Sequence, residues 1–245
     1  MKYEKNREFL KSSAWSKTSN EKSDQELGLK QPEIFKSYNK NKLIKLKNFK
    51  EIKFKEKSFS EIITSRRTRR KYTDKALTLE QLSYLLYTSY GITDKSSNRY
   101  LRAAPSGGNR QTIVTYLIVQ NIQGIKKGIY RYIPLENAII FEKNIDNMEE
   151  ITSNAARDQK WIKKAGVIFV WTTIPYRGEW RYTDKSHKLI LLDAGHICQN
   201  LYLASEAIGL GTCAIAAYHQ KPIDNLIGVD GTNEFVIYLA PVGNL

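Results

Sequence analysis

Hydrophobic residues follow the period of an α-helix in two long segments of the chain. A capping box at Thr78 and Gln81 opens a segment in which leucines recur every three or four residues until Gly91. This pattern predicts an amphipathic helix that ends at the glycine. The same period predicts a helix from about Leu189 to Ile208, after which the chain is rich in glycine.

Runs of β-branched and aromatic residues predict five strands. These runs are Thr115 to Gln120, Gly128 to Ile133, Ala138 to Phe141, Gly166 to Thr173 and Glu234 to Ala240. The fourth run is almost continuously apolar, which is typical of a central strand covered on both faces. Because helices and strands do not alternate as βαβ units, the pattern predicts an α+β fold with one sheet between helical layers.

Positive charge is concentrated at the start of the chain. The 245 residues carry a formal net charge of +14, and residues 1–57 alone contain 16 Lys and Arg against 8 Asp and Glu. These lysines are scattered among Asn, Glu and Ser, which indicates a solvated, loosely structured segment. We therefore expect a basic N-terminal leader, residues 1–57, that packs on or extends from a domain of residues 58–245. A nucleic-acid or anionic-surface binding module is the alternative, although the sequence has no zinc-finger or helix-turn-helix signature.

Cysteine usage and hydropathy point to a compartment. Cys198 and Cys213 are the two cysteines, too few for a disulfide framework, and neither has the spacing of a zinc site. We expect no metal. No apolar stretch approaches the roughly 20 residues of a membrane span, and the N-terminus lacks the apolar core of a signal peptide. The expected location is the cytoplasm, without a membrane partner.

A capping box at Ser58 and Glu61 predicts a further helix, which is expected to run into the basic segment SRRTRRKY. On a helical turn Arg66 and Arg70 stand four residues apart and face the same way, with the Thr68 hydroxyl between them. Two guanidinium groups and a hydroxyl suit a phosphate, which they bind through charge-assisted hydrogen bonds. The alternative is a solvated basic helix end that the helix dipole favours.

The segment RAAPSGGNRQT, residues 102–112, stands just before a predicted strand. Its paired glycines let the backbone approach a ligand closely, and its serine, asparagine and glutamine offer donors and acceptors. It lacks the pattern of a nucleoside triphosphate P-loop. The segment is therefore interpreted as a ligand-facing loop, with an ordinary turn as the alternative.

A third candidate segment is LDAGHICQNLYLASEAIGLGTCAIAAY, which covers the long helix and the turn after it. Its small residues from Cys213 to Ala217 would let a flat ring lie against the backbone. Close packing of the helix on a strand is the alternative and accounts for the glycines equally well.

In this order, the three segments and the closing segment GVDGTNEFVIYLAPVG resemble the FMN-dependent nitroreductase superfamily, and within it the SagB/ThcOx-type dehydrogenases. The resemblance covers roughly Phe59 to the end of the chain, and KSDQELGLKQPEIFKSY is similar to the region before the flavin domain in SagB-like chains. It implies a central, mostly antiparallel sheet between helices, and an intertwined homodimer with FMN at the subunit interface.

The resemblance also implies which residues bind FMN. The expected set is Arg66, Arg67, Thr68 and Arg70 at the phosphate, ribityl chain and pyrimidine edge, Pro105, Ser106, Gly107, Asn109 and Gln111 in the loop that the second subunit supplies, and Ile215, Ala216 and Ala217 beside the isoalloxazine ring. Many members carry a Lys or Arg after the final turn, where this sequence has Asn244 and Leu245. Phosphate binding is therefore expected to depend more strongly on the arginines of the basic segment.

The implied activity is transfer of a hydride from NADH or NADPH, through the flavin, to a small organic acceptor. Tyr182 is the candidate proton donor. Members that oxidise azoline rings in modified peptides carry a Lys-Tyr pair, where this chain has Arg181 and Tyr182. Arg stays protonated and cannot act as the base that Lys supplies, so azoline-to-azole dehydrogenation is the alternative activity. A flavin-binding protein without turnover is a third alternative.

Overall fold

The structure of the protein is a computed structural model that describes residues 2–12, 22–95 and 100–245. Seven α-helices lie in these ranges. They are α1 (Glu4–Leu10), α2 (Phe59–Ser65), α3 (Leu79–Tyr90), α4 (Met148–Ala155), α5 (Tyr176–Tyr182), α6 (Ser186–Ala207) and α7 (Gln220–Ile227).

Nine strands in the described ranges form two sheets. They are β1 (Leu43–Lys45), β2 (Ile92–Asp94), β3 (Leu101–Arg102), β4 (Ile113–Val119), β5 (Gly128–Ile133), β6 (Ala138–Lys143), β7 (Val167–Thr173), β8 (Leu210–Thr212) and β9 (Phe235–Asn244). The central sheet has the order β1-β6-β5-β4-β7-β9-β8, and its strands pair antiparallel throughout. The expected α+β fold with a mostly antiparallel sheet is confirmed.

Local signals set the helix starts where the sequence predicts them. At α3 the Thr78 hydroxyl accepts a hydrogen bond from Gln81 N at 3.1 Å, and Gln81 Oε1 accepts one from Thr78 N at 2.9 Å. Ser58 and Glu61 form the same reciprocal pair at α2. Each pair satisfies backbone N–H groups that have no partner inside the helix.

The sheet separates two hydrophobic cores. β7 lies between β4 and β9, and all seven of its residues are buried, as the apolar run predicts. On one face Leu117 and Phe169 pack with apolar residues of α3 and α6. On the other face Ile118 and Val170 pack with apolar residues of α4 and α7. The alternation of side chains along each strand thus places helices on both faces of one sheet.

Residues 22–57 contact the domain at several points. β1 pairs with β6, and Lys36 forms an ion pair with Glu234. The buried Arg177 donates from Nε to the Glu33 carbonyl at 2.9 Å. This part of the leader is more ordered than its scattered lysines suggest, because the contacts join it to α5 and to the sheet. Residues 13–21 of the leader lie outside the described ranges, and the domain boundary after residue 57 stays a prediction.

Candidate functional site

Tyr202 joins two of the segments that the sequence indicates. It lies on α6, and its hydroxyl oxygen accepts a hydrogen bond from the Ala214 backbone N–H at 2.7 Å. The Thr68 hydroxyl lies 3.3 Å from the same oxygen. The guanidinium carbon of Arg66 lies 5.4 Å from the centre of the tyrosine ring. The basic segment and the small-residue segment 213–217 therefore meet at one side chain of α6.

The basic segment is not helical beyond Ser65. α2 ends one residue before Arg66, which adopts φ −52° and ψ 125°, and Arg69 N donates to the Thr212 carbonyl at 2.9 Å. The prediction that Arg66 and Arg70 share a helix face is wrong, because a contact with the chain at β8 replaces the helical turn. Arg66 and Thr68 both lie at Tyr202, so these two side chains still share one side of the segment.

Arg67 and Arg70 have different partners. Arg70 lies near the Cys213 thiol, where burial raises the pKa of the thiol and the charge of Arg70 opposes this effect. Arg67 is exposed, and its Nη1 donates to the carbonyls of Thr64 at 3.0 Å and Arg66 at 2.8 Å. Arg70 thus lies near the small-residue segment, whereas Arg67 satisfies carbonyls at the end of α2.

Glu206 on α6 anchors the start of the basic segment. Its Oε1 accepts hydrogen bonds from Ser65 Oγ at 2.8 Å and from Lys57 Nζ at 2.5 Å. Burial raises the pKa of this carboxyl, but the hydrogen bonds from Lys57 and Ser65 outweigh burial and hold the pKa below its ordinary value. The carboxylate is therefore charged at neutral pH and holds the end of α2 against α6.

The small-residue segment exposes two of its three predicted flavin contacts. Ile215 is buried, and its N–H and carbonyl are both bonded to Leu239, at 2.8 Å and 3.1 Å. Ala216 and Ala217 are exposed. A flat ligand would therefore meet the backbone at the two alanines, while Ile215 holds the segment to the sheet.

Both cysteines are buried near this segment. Burial raises the pKa of Cys198 to about 12, and it also raises the pKa of Cys213. Thiols with a raised pKa are poor nucleophiles, so neither cysteine is a candidate catalytic nucleophile. Over the described ranges, no cluster of His, Cys, Asp and Glu could hold a metal ion. No helix in the same ranges has the length and apolar character needed to cross a membrane.

Polar side chains hold the loop before β4 in shape. Ser106 Oγ accepts a hydrogen bond from Gln111 N at 3.0 Å, and Gln111 Oε1 accepts one from the buried Tyr90 hydroxyl at 3.0 Å. The Asp193 carboxylate on α6 accepts from Gly107 N at 3.1 Å. Burial raises the pKa of Asp193, although hydrogen bonds from the loop oppose this effect. Ser106 and Gln111 thus stabilise the loop itself.

The tip of the loop lies against Tyr182. Gly108, Asn109 and Gln111 have φ of 57°, 55° and 53°, and such left-handed backbone makes a tight turn. A Cβ at Gly108 would lie 2.2 Å from the Tyr182 hydroxyl, so only glycine fits there without displacing the ring. Asn109 is half-buried and Pro105 is exposed. The structure therefore brings the candidate proton donor Tyr182 to the loop.

The loop and the basic segment contact α6 at different positions along its axis. The loop contacts Asp193, whereas the basic segment contacts Tyr202. Nine residues of helix span about 14 Å. Within one chain the structure therefore does not bring the two groups of predicted site residues together.

Sequence reasoning missed the residues of α6 that organise the site. Tyr202 directly follows Leu201, which belongs to the buried stripe of the helix, so its position indicates packing. Its hydroxyl is the only signal of another role, since a partly buried tyrosine usually hydrogen-bonds through that group. For Glu206 and Asp193 the signal is the carboxylate itself, because a buried carboxylate requires a hydrogen-bonding or charged partner.

The chain can be assigned to a family. The model of the nitroreductase family matches residues 63–244, which is most of the sequence. The protein therefore belongs to the nitroreductase family, and the superfamily expected from the sequence is confirmed.

Two relatives illustrate the range of similar proteins. A Methanocaldococcus jannaschii protein that bears the name nitroreductase MJ1384 is 29% identical over 200 residues, which cover 82% of this chain and 95% of that protein. The microcin B17-processing protein McbC of Escherichia coli is 23% identical over 158 residues, which cover 63% of this chain and 57% of McbC. The match thus spans little more than half the length of McbC.

Solved structures share the fold. A protein of Ralstonia eutropha JMP134 described as a nitroreductase aligns with a TM-score of 0.66 and 18% identity, covering 83% of this chain and 89% of that chain. A nitroreductase-type protein of Desulfovibrio desulfuricans in complex with FMN aligns with a TM-score of 0.51 and 20% identity, covering 76% of this chain and 84% of that chain. At these identities the likeness establishes the fold alone.

Proposed function

We propose that the protein is an FMN-dependent oxidoreductase that transfers a hydride from NADH or NADPH, through the flavin, to a small organic acceptor. Its family is one of oxidoreductases. The observation that carries the proposal is the junction at Tyr202, where the basic segment meets the segment 213–217. FMN in the Desulfovibrio desulfuricans structure supports the choice of cofactor.

The residues at this junction suit the two ends of FMN. Among the described residues no carboxylate forms an ion pair with Arg66 or Arg70, and Thr68 adds a hydroxyl beside Arg66 at Tyr202. Unpaired guanidinium groups bind phosphate through charge-assisted hydrogen bonds. Ala216 and Ala217 are exposed and follow Ala214, which contacts Tyr202, so they would leave room for a flat ring. A ligand with a phosphate at one end and a planar ring system at the other fits both parts.

Bound FMN would supply the two-electron chemistry that protein side chains lack. The chain itself would bind and orient the reactants. Arg66 and Arg70 would hold the phosphate and the pyrimidine edge, where a cation favours the negative charge of a reduced flavin. Tyr202 holds the Ala214 N–H and so keeps the neighbouring backbone in place. Tyr182 remains the candidate for donating a proton from its hydroxyl to the acceptor.

A second copy of the chain would complete the site. Leu191 and Leu192 on α6 are each 51% exposed, and apolar pairs of this kind commonly mark an interface. A two-fold axis near the middle of α6 would cover them. The same axis would bring the loop of the partner subunit to the basic segment of the first subunit. In such a symmetric contact the Asp193 end of one α6 faces the Tyr202 end of the other α6. We therefore propose a homodimer with FMN at the interface.

The first test is the absorption spectrum of the purified protein. A flavoprotein is expected to show peaks near ~450 nm and ~370 nm. The double variant Arg66→Ala, Arg70→Ala should remain a folded, colourless dimer, because it loses both phosphate ligands. The matched control is Lys53→Ala, Lys75→Ala, which removes two exposed cations and should stay yellow. Wild-type FMN affinity in the arginine variant would contradict the phosphate assignment.

A steady-state assay separates an enzyme from a protein that only binds flavin. NADH and NADPH oxidation are followed with a nitroaromatic acceptor under anaerobic conditions. We expect ping-pong kinetics with at least one of the two nucleotides, seen as parallel lines in double-reciprocal plots at different acceptor concentrations. Flavin binding without any nucleotide oxidation would contradict the hydride-transfer proposal.

The similarity to McbC favours azoline-to-azole dehydrogenation as a second candidate function. Azoline-oxidising enzymes have a Lys-Tyr pair, and in this chain Arg181 occupies the position of that Lys. Arg cannot serve as a base. Incubation of the FMN-loaded protein with a thiazoline-containing peptide tests this function by mass spectrometry, since oxidation removes two hydrogens. We expect no oxidation by the wild type and some by Arg181→Lys. Rapid oxidation by the wild type would favour this candidate over the first.

A further inference from the structure

Two arginines flank Tyr182 at the loop before β4. Arg110 donates from Nε to the Gly108 carbonyl at 3.1 Å, and its guanidinium carbon lies 5.3 Å from the Trp180 ring. Arg181 has its guanidinium carbon 5.3 Å from the Tyr182 ring, and Tyr182 itself lies against Gly108. Both cations therefore belong to one small surface with Tyr182 at its centre.

Neither guanidinium has a counter-ion in the part of the chain that the structure describes. Nearby carboxylates have other partners: Glu179 pairs with His187 at 2.7 Å, and Asp184 accepts from the Thr183 hydroxyl at 3.2 Å. Burial lowers the pKa of Arg110, and the charge of Arg181 lowers it further. The two like charges repel each other, and an anion bound between the two guanidinium groups would offset this repulsion.

We propose that Arg110 and Arg181 form a clamp for a carboxylate or phosphate group on the substrate that meets Tyr182. The proposal rests on the proposed function and narrows its substrate class to anionic molecules. Planar guanidinium groups match both oxyanions bidentately. Within one chain the clamp is separate from the arginines assigned to FMN, which contact α6 at Tyr202, nine residues along the helix from the Asp193 that the loop contacts. In the proposed homodimer the loop of the partner subunit would bring its clamp toward these arginines.

The first experiment measures binding without turnover. The FMN-loaded protein is titrated calorimetrically with benzoate and with benzamide, which has nearly the same shape but no charge. We expect benzoate to bind at least about tenfold more tightly, because it adds charge-assisted hydrogen bonds. Arg110→Gln and Arg181→Gln should each reduce this preference, and about 0.5 M salt should do so as well. Equal affinity of the wild type for both compounds would overturn the clamp.

Lys143→Gln is the matched control for net charge. Lys143 lies on β6, and its Nζ donates to the Asn225 carbonyl at 3.1 Å, outside both candidate groups. The control should keep the wild-type preference for benzoate. An equal loss in the control and the arginine variants would mean that net charge alone attracts the anion, and it would overturn the clamp.

Steady-state kinetics then identify which substrate carries the anion. The acceptors are para-nitrobenzoate and para-nitrobenzamide, each with NADH and with NADPH. If the acceptor is clamped, both arginine variants raise KM for the charged acceptor about tenfold, with little change in kcat. If the nucleotide is clamped, KM for NADPH rises and KM for each acceptor does not change. Unchanged KM values throughout would contradict the clamp.

The proposed function can fail independently of the arginine clamp. A wild-type protein that oxidises neither nucleotide with either acceptor is not the oxidoreductase that we propose. In that case the benzoate and benzamide titrations alone decide whether the clamp exists.

Discussion

The hydroxyl of Tyr202 is the contact on which the candidate site depends most directly. Tyr202→Phe removes that hydroxyl and keeps the ring beside Arg66. The Ala214 N–H then loses its 2.7 Å hydrogen bond, and Thr68 loses its 3.3 Å neighbour. The hydrogen bonds at Tyr202 would be lost, and the hydrogen bond from Arg69 N to the Thr212 carbonyl would remain beside them.

The magnitude follows from this geometry. An ordinary hydrogen bond contributes about 1 kcal/mol to the free energy of unfolding. Ala214 is half-buried, so water can reach its N–H, and the full penalty of a buried unsatisfied donor does not apply. For a domain of this size a loss of about 1 kcal/mol lowers Tm by about 2–4 °C. If the segment must be ordered to bind FMN, the same loss weakens FMN binding about fivefold.

The assay combines urea unfolding with titration of the apoprotein by FMN, followed by flavin fluorescence. The matched control is Tyr130→Phe, because the Tyr130 hydroxyl also bonds to the backbone, at the Lys126 carbonyl 2.8 Å away. Tyr130 lies on β5, outside the candidate site. We expect both variants to lose similar stability and only Tyr202→Phe to lose FMN affinity.

Two outcomes would refute this reasoning. If both variants bind FMN as tightly as the wild type, the Tyr202 hydrogen bond stabilises the fold without positioning the cofactor segment. If both variants bind FMN equally weakly, the effect comes from general destabilisation. Either result would remove the main support for placing FMN at this junction.

Two further predictions concern the loop before β4. Gly108→Ala should lower the free energy of unfolding in urea by about 1–2 kcal/mol, because left-handed backbone strains a side chain and the new Cβ would meet the Tyr182 hydroxyl. Tyr182→Phe should restore part of this loss. A loss near zero would show that the Tyr182 ring moves freely. The pKa of Asp193 is raised in the folded state, so the folded protein keeps the Asp193 proton to higher pH than the unfolded chain does. Protonation of Asp193 therefore stabilises the fold fully below the ordinary pKa of 3.8. This stabilisation is lost as the pH rises through the folded pKa. Unfolding of Asp193→Asn across this pH range should lack that decline, and parallel wild-type and variant curves would show that another group causes it.

About half of the fold's elements were predictable because their signals are local, whereas the helices α1, α4, α5 and α7 and the strands β2 and β3 were not predicted. Two capping boxes mark the starts of α2 and α3, and the continuous apolar run of β7 indicated a central strand. The short strands β1 and β8 were missed. Each has three residues, too few to show a period, and each is stabilised by pairing with a longer strand.

The candidate site was predictable in its residue types but not in its geometry. Sequence alone pointed to Arg66, Thr68 and Arg70 and assigned them to a helix. The structure shows no helix there, because Arg69 N donates to the Thr212 carbonyl instead of continuing the helical turn. A capping box defines where a helix begins, whereas a tertiary contact decided where this one ends.

The sequence by itself determined the helices and strands that have strong local signals, such as α3, α6 and β7, and it showed which segments are rich in cations, glycines and small residues. The tertiary structure alone decided that Tyr202 joins two of these segments and that the loop and the arginines lie apart on α6. The physical reason is that helix and strand periods arise from neighbours a few residues apart. A hydrogen bond between Tyr202 and Ala214, or between Arg69 and Thr212, leaves no period in any one segment and exists only once the chain has folded.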